Sequence, residues 1–327
     1  MHTTEPDFAR CYVNLADAGL GAKALACSDD FFAAMGRMLD PAEPVFVPGR
    51  YDDHGKWMDG WESRRKRQAG HDWCVVRLAS PGRLHGVELD TRHFTGNYPP
   101  SVSLECGLAA ADADPAAIHW RPLLGAVPLQ GNGRHWFDLS DVGEVSHVRV
   151  NLHPDGGLAR LRLYGQPQLP TSDAQFDLAA AQFGGRVVAC NNEHFGPASR
   201  LLRPGRGTHM GDGWETRRRR EPGFDWCIIE LACAGIIEAV EVDTAHFKGN
   251  FPDRCSIDGA STDLRDPAAL MAAAIYWPAL LTAQPLQMDQ QQHFRSELLP
   301  HAAVTHVRFN IHPDGGVSRL RLLGRRA

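Results

Sequence analysis

The sequence predicts an all-β protein built as two jelly-roll β-sandwiches in tandem, and three observations lead there. The 327-residue chain repeats itself: Asp59-Gly60-Trp61-Glu62-Ser63-Arg64-Arg65 returns 153 residues later as Asp212-Gly213-Trp214-Glu215-Thr216-Arg217-Arg218. Short apolar stretches rich in β-branched residues alternate with Gly- and Pro-containing turns. Helical periodicity is scarce. A repeat of this length is too long for a solenoid unit and marks a duplicated domain.

The first copy opens near Gly21, followed by Cys27-Ser28-Asp29-Asp30-Phe31-Phe32. The second opens near Gly184, followed by Cys190-Asn191-Asn192-Glu193-His194-Phe195, a spacing of 163. The first copy therefore carries ten more residues before its Asp-Gly-Trp-Glu motif, in the Pro-rich stretch around Asp40–Gly49. This organisation predicts an N-terminal extension over 1–20, a first sandwich over 21–165, a linker over 166–177 and a second sandwich over 178–327.

Each strand has its own signal. Trp73–Ala79 and Trp226–Ala232 are short, mostly apolar and β-branched, as for strands covered by a facing sheet. Gly86–Asp90 and Ala239–Asp243 are apolar runs that end in Asp-Thr. Along Val145–His153 the apolar Val148, Val150 and Leu152 alternate with Arg149, Asn151 and His153, so the two sets face opposite ways. Pro154-Asp155-Gly156-Gly157 then reads as a hairpin turn, with a return strand over Leu158–Tyr164. The second copy repeats the pattern through Arg308-Phe309-Asn310-Ile311-His312-Pro313-Asp314-Gly315-Gly316. Alanine-rich Ala109–Ile118 and Asp266–Ile275 are the two places where short helices are expected.

Composition limits the function. Hydrophobic residues at 43% and charged residues at 22% are ordinary for a soluble globular protein, and a formal charge of −5 argues against a nucleic-acid partner. No apolar run approaches membrane-spanning length, and the amino terminus reads as neither signal nor anchor, so a cytoplasmic location is expected. Eight scattered cysteines without a Cys-x-x-Cys pair read as reduced thiols. Phosphate loops, dinucleotide fingerprints and zinc-protease motifs are all missing from the sequence.

The recurring residues are largely polar, and a core alone does not require that. Arginine presents a planar fork suited to a carboxylate. Arg64 and Arg65 share one pocket only if the chain is looped there, because neighbours on a strand face opposite ways. The strand-end Asp90 and Asp243 suit either a general base or a cap on the next turn. His153 and Asp155, with His312 and Asp314, have a spacing that admits a metal, but the turn already accounts for the aspartates.

These long motifs, from Ser28-Asp29-Asp30-Phe31-Phe32 through Gly70-His71-Asp72-Trp73 to Phe94-Thr95-Gly96-Asn97-Tyr98-Pro99 and their second-copy counterparts, resemble the allantoicase family over nearly the whole chain. The resemblance implies a fold like tandem galactose-binding modules and conversion of allantoate and water to ureidoglycolate and urea. It also implies a homo-oligomer, with no cofactor required and a divalent metal conceivable but without ligand spacing to support it. Glu62, Asp90, Glu215 and Asp243 are then the candidate acid/base groups. Arg64, Arg65, Arg217 and Arg218 are the candidate carboxylate clamps, with Asn97, Asn250, Lys248, His153 and His312 as further substrate contacts, the set of one copy beside that of the other. The competing expectation is a non-catalytic pair of galactose-binding-like modules for a sugar or small ligand. Differences between the copies, such as Thr95 against Lys248, His71 against Phe224 and Ser101 against Arg254, predict unequal roles for the two halves.

Overall fold

The computed structural model describes residues 4–171 and 173–327. Residues 1–3 of the expected extension and Ser172 of the expected linker lie outside the described residues. The chain divides after Gln168 into two compact units, each a β-sandwich.

In the first unit the principal strands are β1 (Lys23–Cys27), β2 (Asp72–Asp90), β3 (Ser101–Gly107), β4 (Arg121–Pro128), β5 (Arg134–Asp138), β6 (Val145–His153) and β7 (Arg160–Pro167). All pairings are antiparallel. The 19-residue β2 serves both sheets. Its first half lies between β1 and β6, which continues to β3 and β4; its second half lies between β7 and β5. The two runs predicted separately, Trp73–Ala79 and Gly86–Asp90, are thus one strand that turns a corner near Pro81. Leu152 faces Asp72 and Arg160 faces Asp90, so the short His153–Ala159 connection draws both ends of β2 to the same end of the sandwich. That end carries the recurring polar motifs.

The hairpin expected at Pro154-Asp155-Gly156-Gly157 is not one. Strands β6 and β7 do not pair with each other; each pairs with a different half of β2, and the connection crosses from sheet to sheet. Gly157–Leu158 instead pairs with Trp61–Glu62. The turn residues do turn the chain, but local patterning carries no sign that β2 lies between the two strands they connect.

The second unit repeats this plan with β8 (Arg186–Cys190), β9 (Asp225–Asp243), β10 (Arg254–Ala260), β11 (Ala279–Pro285), β12 (Gln291–Phe294), β13 (Val304–His312) and β14 (Arg319–Arg326). Strand β9 pairs with β8 and β13 in its first half and with β14 and β12 in its second. Alternation on β6 and β13 holds as predicted: Val148, Val150, Leu152, Val307, Phe309 and Ile311 are fully buried between the sheets. Burying each such side chain stabilises the fold by about 1.5–3 kcal/mol. Cys74 and Cys227 are buried with them, and all eight cysteines are free thiols.

Helix is sparse. Asp7–Cys11, α1, packs Phe8 against Trp136 and Tyr164, and Val13–Asn14 adds an edge to β7. Of the two expected alanine-rich helices, only Pro267–Ala273, α2, is an α-helix. The first-unit counterpart shrinks to a single 3-10 turn at Pro115–Ala117. Among the described residues no helix is long and apolar enough to cross a membrane.

Candidate active site

Each residue of the Asp-Gly-Trp-Glu-(Ser/Thr)-Arg-Arg motif has a distinct task, and the two units agree on most of them. The aspartate holds a buried arginine: Asp59 Oδ2 lies 2.8 Å from Arg160 Nη2, and Asp212 Oδ2 lies 2.8 Å from Arg319 Nη2. The glycine permits close approach of two backbones, since a Cβ on Gly60 would sit 2.5 Å from the Leu158 carbonyl and one on Gly213 would sit 2.8 Å from the Val317 carbonyl. Trp61 and Trp214 are wholly buried, each donating Nε1–H to a carbonyl, of Asp29 and Asn192 respectively. They are core residues, not exposed sugar platforms. Ser63 and Thr216 are buried and accept the N–H of Gly156 and Gly315, glycines whose φ of 140° and 136° few side chains tolerate. Trp61–Glu62 and Trp214–Glu215 are the last strand residues before the chain loops out, so successive arginines leave the strand in irregular backbone.

The glutamate is the residue the motif presents. Asn97 Nδ2 donates to Glu62 Oε1 at 2.7 Å, and Asn250 Nδ2 donates to Glu215 Oε1 at 2.6 Å. Each asparagine is itself fixed, because its backbone carbonyl accepts the N–H of Gly157 or Gly316 at 2.7 Å. Burial raises the pKa of the Glu62 carboxyl above its ordinary value, with the Asn97 hydrogen bond and Lys56 opposing.

In the second unit these groups line a cleft of about 620 Å³. Glu215, Arg218 and Asn250 share its wall with Arg219, Asp314 and the rings of Phe195 and Phe251. That volume suits a small molecule. The two arginines of the motif part company here. Arg217 is paired with Glu221 at 2.7 Å, whereas Arg218 has no protein acceptor among the described residues. The first unit sorts its pair the same way: Arg64 is held by Asp29 at 2.6 Å, and the exposed Arg65 has no acceptor among the described residues.

Asp90 and Asp243 stand apart from this cleft. Both are wholly buried, each accepts a backbone N–H two residues on, and each is chelated by one arginine. Arg92 holds Asp90 at 2.6 Å, and Arg206 holds Asp243 at 2.9 Å. The position of Arg92 is Ala245 in the second copy, so the guanidinium arrives from a different loop. These contacts agree with the capping alternative for the two aspartates.

The histidines also lie elsewhere. His153 and His312 face outward on the sheets of β6 and β13, bonded through Nε2 to Ser103 at 2.9 Å and Ser256 at 3.2 Å. Burial lowers the pKa of both. Asp155 and Asp314 accept the N–H of Lys66 and Arg219 at 2.7 and 2.8 Å, a turn-closing role. Among the described residues no group of three or more His, Cys, Asp or Glu side chains converges as a metal site would. Lys248 is exposed, with Asp289 at 3.7 Å.

Arg219 lines the cleft although it is not among the candidate contacts expected from the sequence. It spans from the cleft wall to Asp225 at 2.7 Å, and Lys66 reaches Asp72 at 2.7 Å in the first unit. The signal was present: both copies keep a cation directly after the two motif arginines.

A family model described as the allantoicase repeat matches residues 13–168 and again 176–327. A Burkholderia pseudomallei protein named probable allantoicase 2 is 60% identical over 323 residues, covering 98% of this chain and 96% of its own length. A Ralstonia nicotianae protein named probable allantoicase is 55% identical, with the same coverage. Among solved structures, allantoicase from Saccharomyces cerevisiae superposes with a TM-score of 0.73 at 31% identity, covering 95% of this chain and 92% of that one. A second allantoicase structure gives 0.76 at 30% identity, covering 98% and 97%.

Proposed function

The chain belongs to the allantoicase family, and on that premise we propose that the cleft of the second unit binds and cleaves allantoate. The reaction is hydrolysis of allantoate to ureidoglycolate and urea. Allantoate bears one carboxylate and two ureido groups on a single tetrahedral carbon. Water oxygen becomes bonded to that carbon, the bond to one ureido nitrogen breaks, and a proton passes from the water to the departing nitrogen. The site must therefore hold an anion and relay a proton.

The observation that carries this reading is the shared wall of Glu215, Asn250 and Arg218 in one cleft. Arg218, with no competing acceptor among the described residues, clamps the substrate carboxylate. Glu215 relays the proton, and Asn250 holds its carboxylate in place. Arg219 adds positive charge to the wall while its guanidinium is oriented by Asp225. The first unit carries Glu62, Asn97 and Arg65 in the same motif positions, with Lys66 in place of Arg219. We assign the two sets unequal contributions to turnover.

Urea release from allantoate by the purified protein tests the activity. A protein that binds allantoate and releases no urea over a broad pH range, with and without added divalent metal, would return the non-catalytic reading. The homo-oligomeric state and cytoplasmic location form part of the same proposal; light scattering and cell fractionation test them.

A further inference from the structure

The sheets of the two units differ in what covers them, and the duplication shows what is missing. In the second unit α2 lies over the sheet, burying Leu270 and Ala274 against Ile228, Val188, Ala189, Trp226 and Trp277. The motif positions match in the first unit: Val75, Leu25, Ala26, Trp73 and Trp120. The covering segment does not. Asp266-Pro267-Ala268-Ala269 and Asp114-Pro115-Ala116-Ala117 start alike, each with its aspartate capping the turn. The second copy then inserts Leu270–Ala274 before Ile275-Tyr276-Trp277, whereas the first proceeds directly to Ile118-His119-Trp120. Without that plug, a cleft of about 410 Å³ opens between Trp73, Trp120 and Arg149, with Asp114 also on its wall, its Oδ1 accepting the Ala116 N–H.

We propose that this cleft is a binding site for a small, flat aromatic or heterocyclic carboxylate. Two tryptophans and a valine supply an apolar slot of ligand size. Arg149 supplies the anion partner. Its Nε is already used, with Glu105 at 2.8 Å and Asn151 at 3.1 Å, which fixes the plane of the guanidinium. Its two Nη groups have no protein acceptor among the described residues, and its Cζ lies 5.9 Å from the centre of the Trp120 ring. A carboxylate can accept from both Nη groups while the ring attached to it lies against tryptophan. None of these residues belongs to the cleft assigned to allantoate, so the site is independent of turnover.

Indole-3-carboxylate and its neutral isostere indole-3-carboxamide are the probes, read by calorimetry on the full-length protein. Saturable binding of the carboxylate, at least tenfold tighter than the carboxamide, is expected. Arg149→Gln removes that preference. A second variant inserts Leu-Met-Ala-Ala-Ala between Ala117 and Ile118 to rebuild the plug of the second unit, and it abolishes binding of both probes while urea release from allantoate is retained. Absence of saturable binding to the parent protein overturns the proposal. So does equal affinity for the two probes, or binding unchanged in Arg149→Gln.

Discussion

The Asn250 amide donates to the Glu215 carboxylate at 2.6 Å, and the same pair recurs as Asn97 and Glu62 at 2.7 Å. Each asparagine, expected as a substrate contact, spends one amide N–H on its glutamate. Glu215→Gln is expected to lower kcat by about 10²–10⁴-fold, the usual scale for a proton-relaying group. Asn250→Ala should lower kcat by less, because it acts through Glu215, and Asn250→Asp should not restore the loss, because a second carboxylate cannot donate to the first. Initial-rate measurements of urea release check both. Equal losses from Glu215→Gln and Glu62→Gln would count against unequal roles for the two units.

Arg217 and Arg218 are adjacent, yet only Arg218 lines the cleft without an acceptor of its own. Losing a charge-assisted contact of about 1.5–3 kcal/mol corresponds to roughly 10–100-fold. Arg218→Ala is expected to raise KM on that scale with kcat less affected. Arg217→Ala should leave both within about twofold, since it removes only an exposed pair with Glu221. A KM that rises for Arg217→Ala and stays put for Arg218→Ala would reverse the assignment.

Arg206 reaches a buried Asp243 that Ala245 cannot serve, whereas Arg92 serves Asp90 from the equivalent sequence position. Removing Arg206 leaves a buried carboxylate short of a partner, at a cost of about 1–3 kcal/mol. Arg206→Ala should therefore lower the unfolding midpoint in urea, and adding Ala245→Arg should recover most of the loss. The same double variant should restore any lost turnover. Recovery of stability without turnover would point to a chemical role for Arg206.

Burial holds the Glu62 carboxyl above its ordinary pKa, so the folded state retains a proton that the unfolded chain releases. Folding stability then falls as pH rises past the unfolded value near 4.5, and the penalty is complete above the folded pKa. Glu62→Gln removes the titrating group while keeping an acceptor for Asn97. The variant should melt above the parent protein near neutral pH, and the gap should close below pH 4. A gap independent of pH would contradict this.

The duplication, the β-strand character and the apolar faces of β6 and β13 were legible because period-two patterning and turn residues are local signals. The single long strand β2 was not, since the corner near Pro81 depends on which sheet each half joins. Motif recurrence led to Glu62, Glu215, Arg65 and Arg218, but it could not distinguish scaffold from site. Asp59 and Asp90 recur as faithfully as Glu62, and both spend their charge on an arginine. Sequence shows that a carboxylate is present; only packing shows whether its lone pairs are already taken. The partner of Asp243 was hidden for the same reason, because Arg206 comes from a distant loop, at the position that Glu43 holds in the first copy.

Strand β2 hydrogen-bonds to β6 with one half and to β7 with the other, and β9 does the same for β13 and β14. Neither sheet of a unit can peel away while the other stays whole, because both are stitched to one continuous segment. Amide protons of Val75 and Leu89, on opposite sheets, must then be released to solvent through the same opening event.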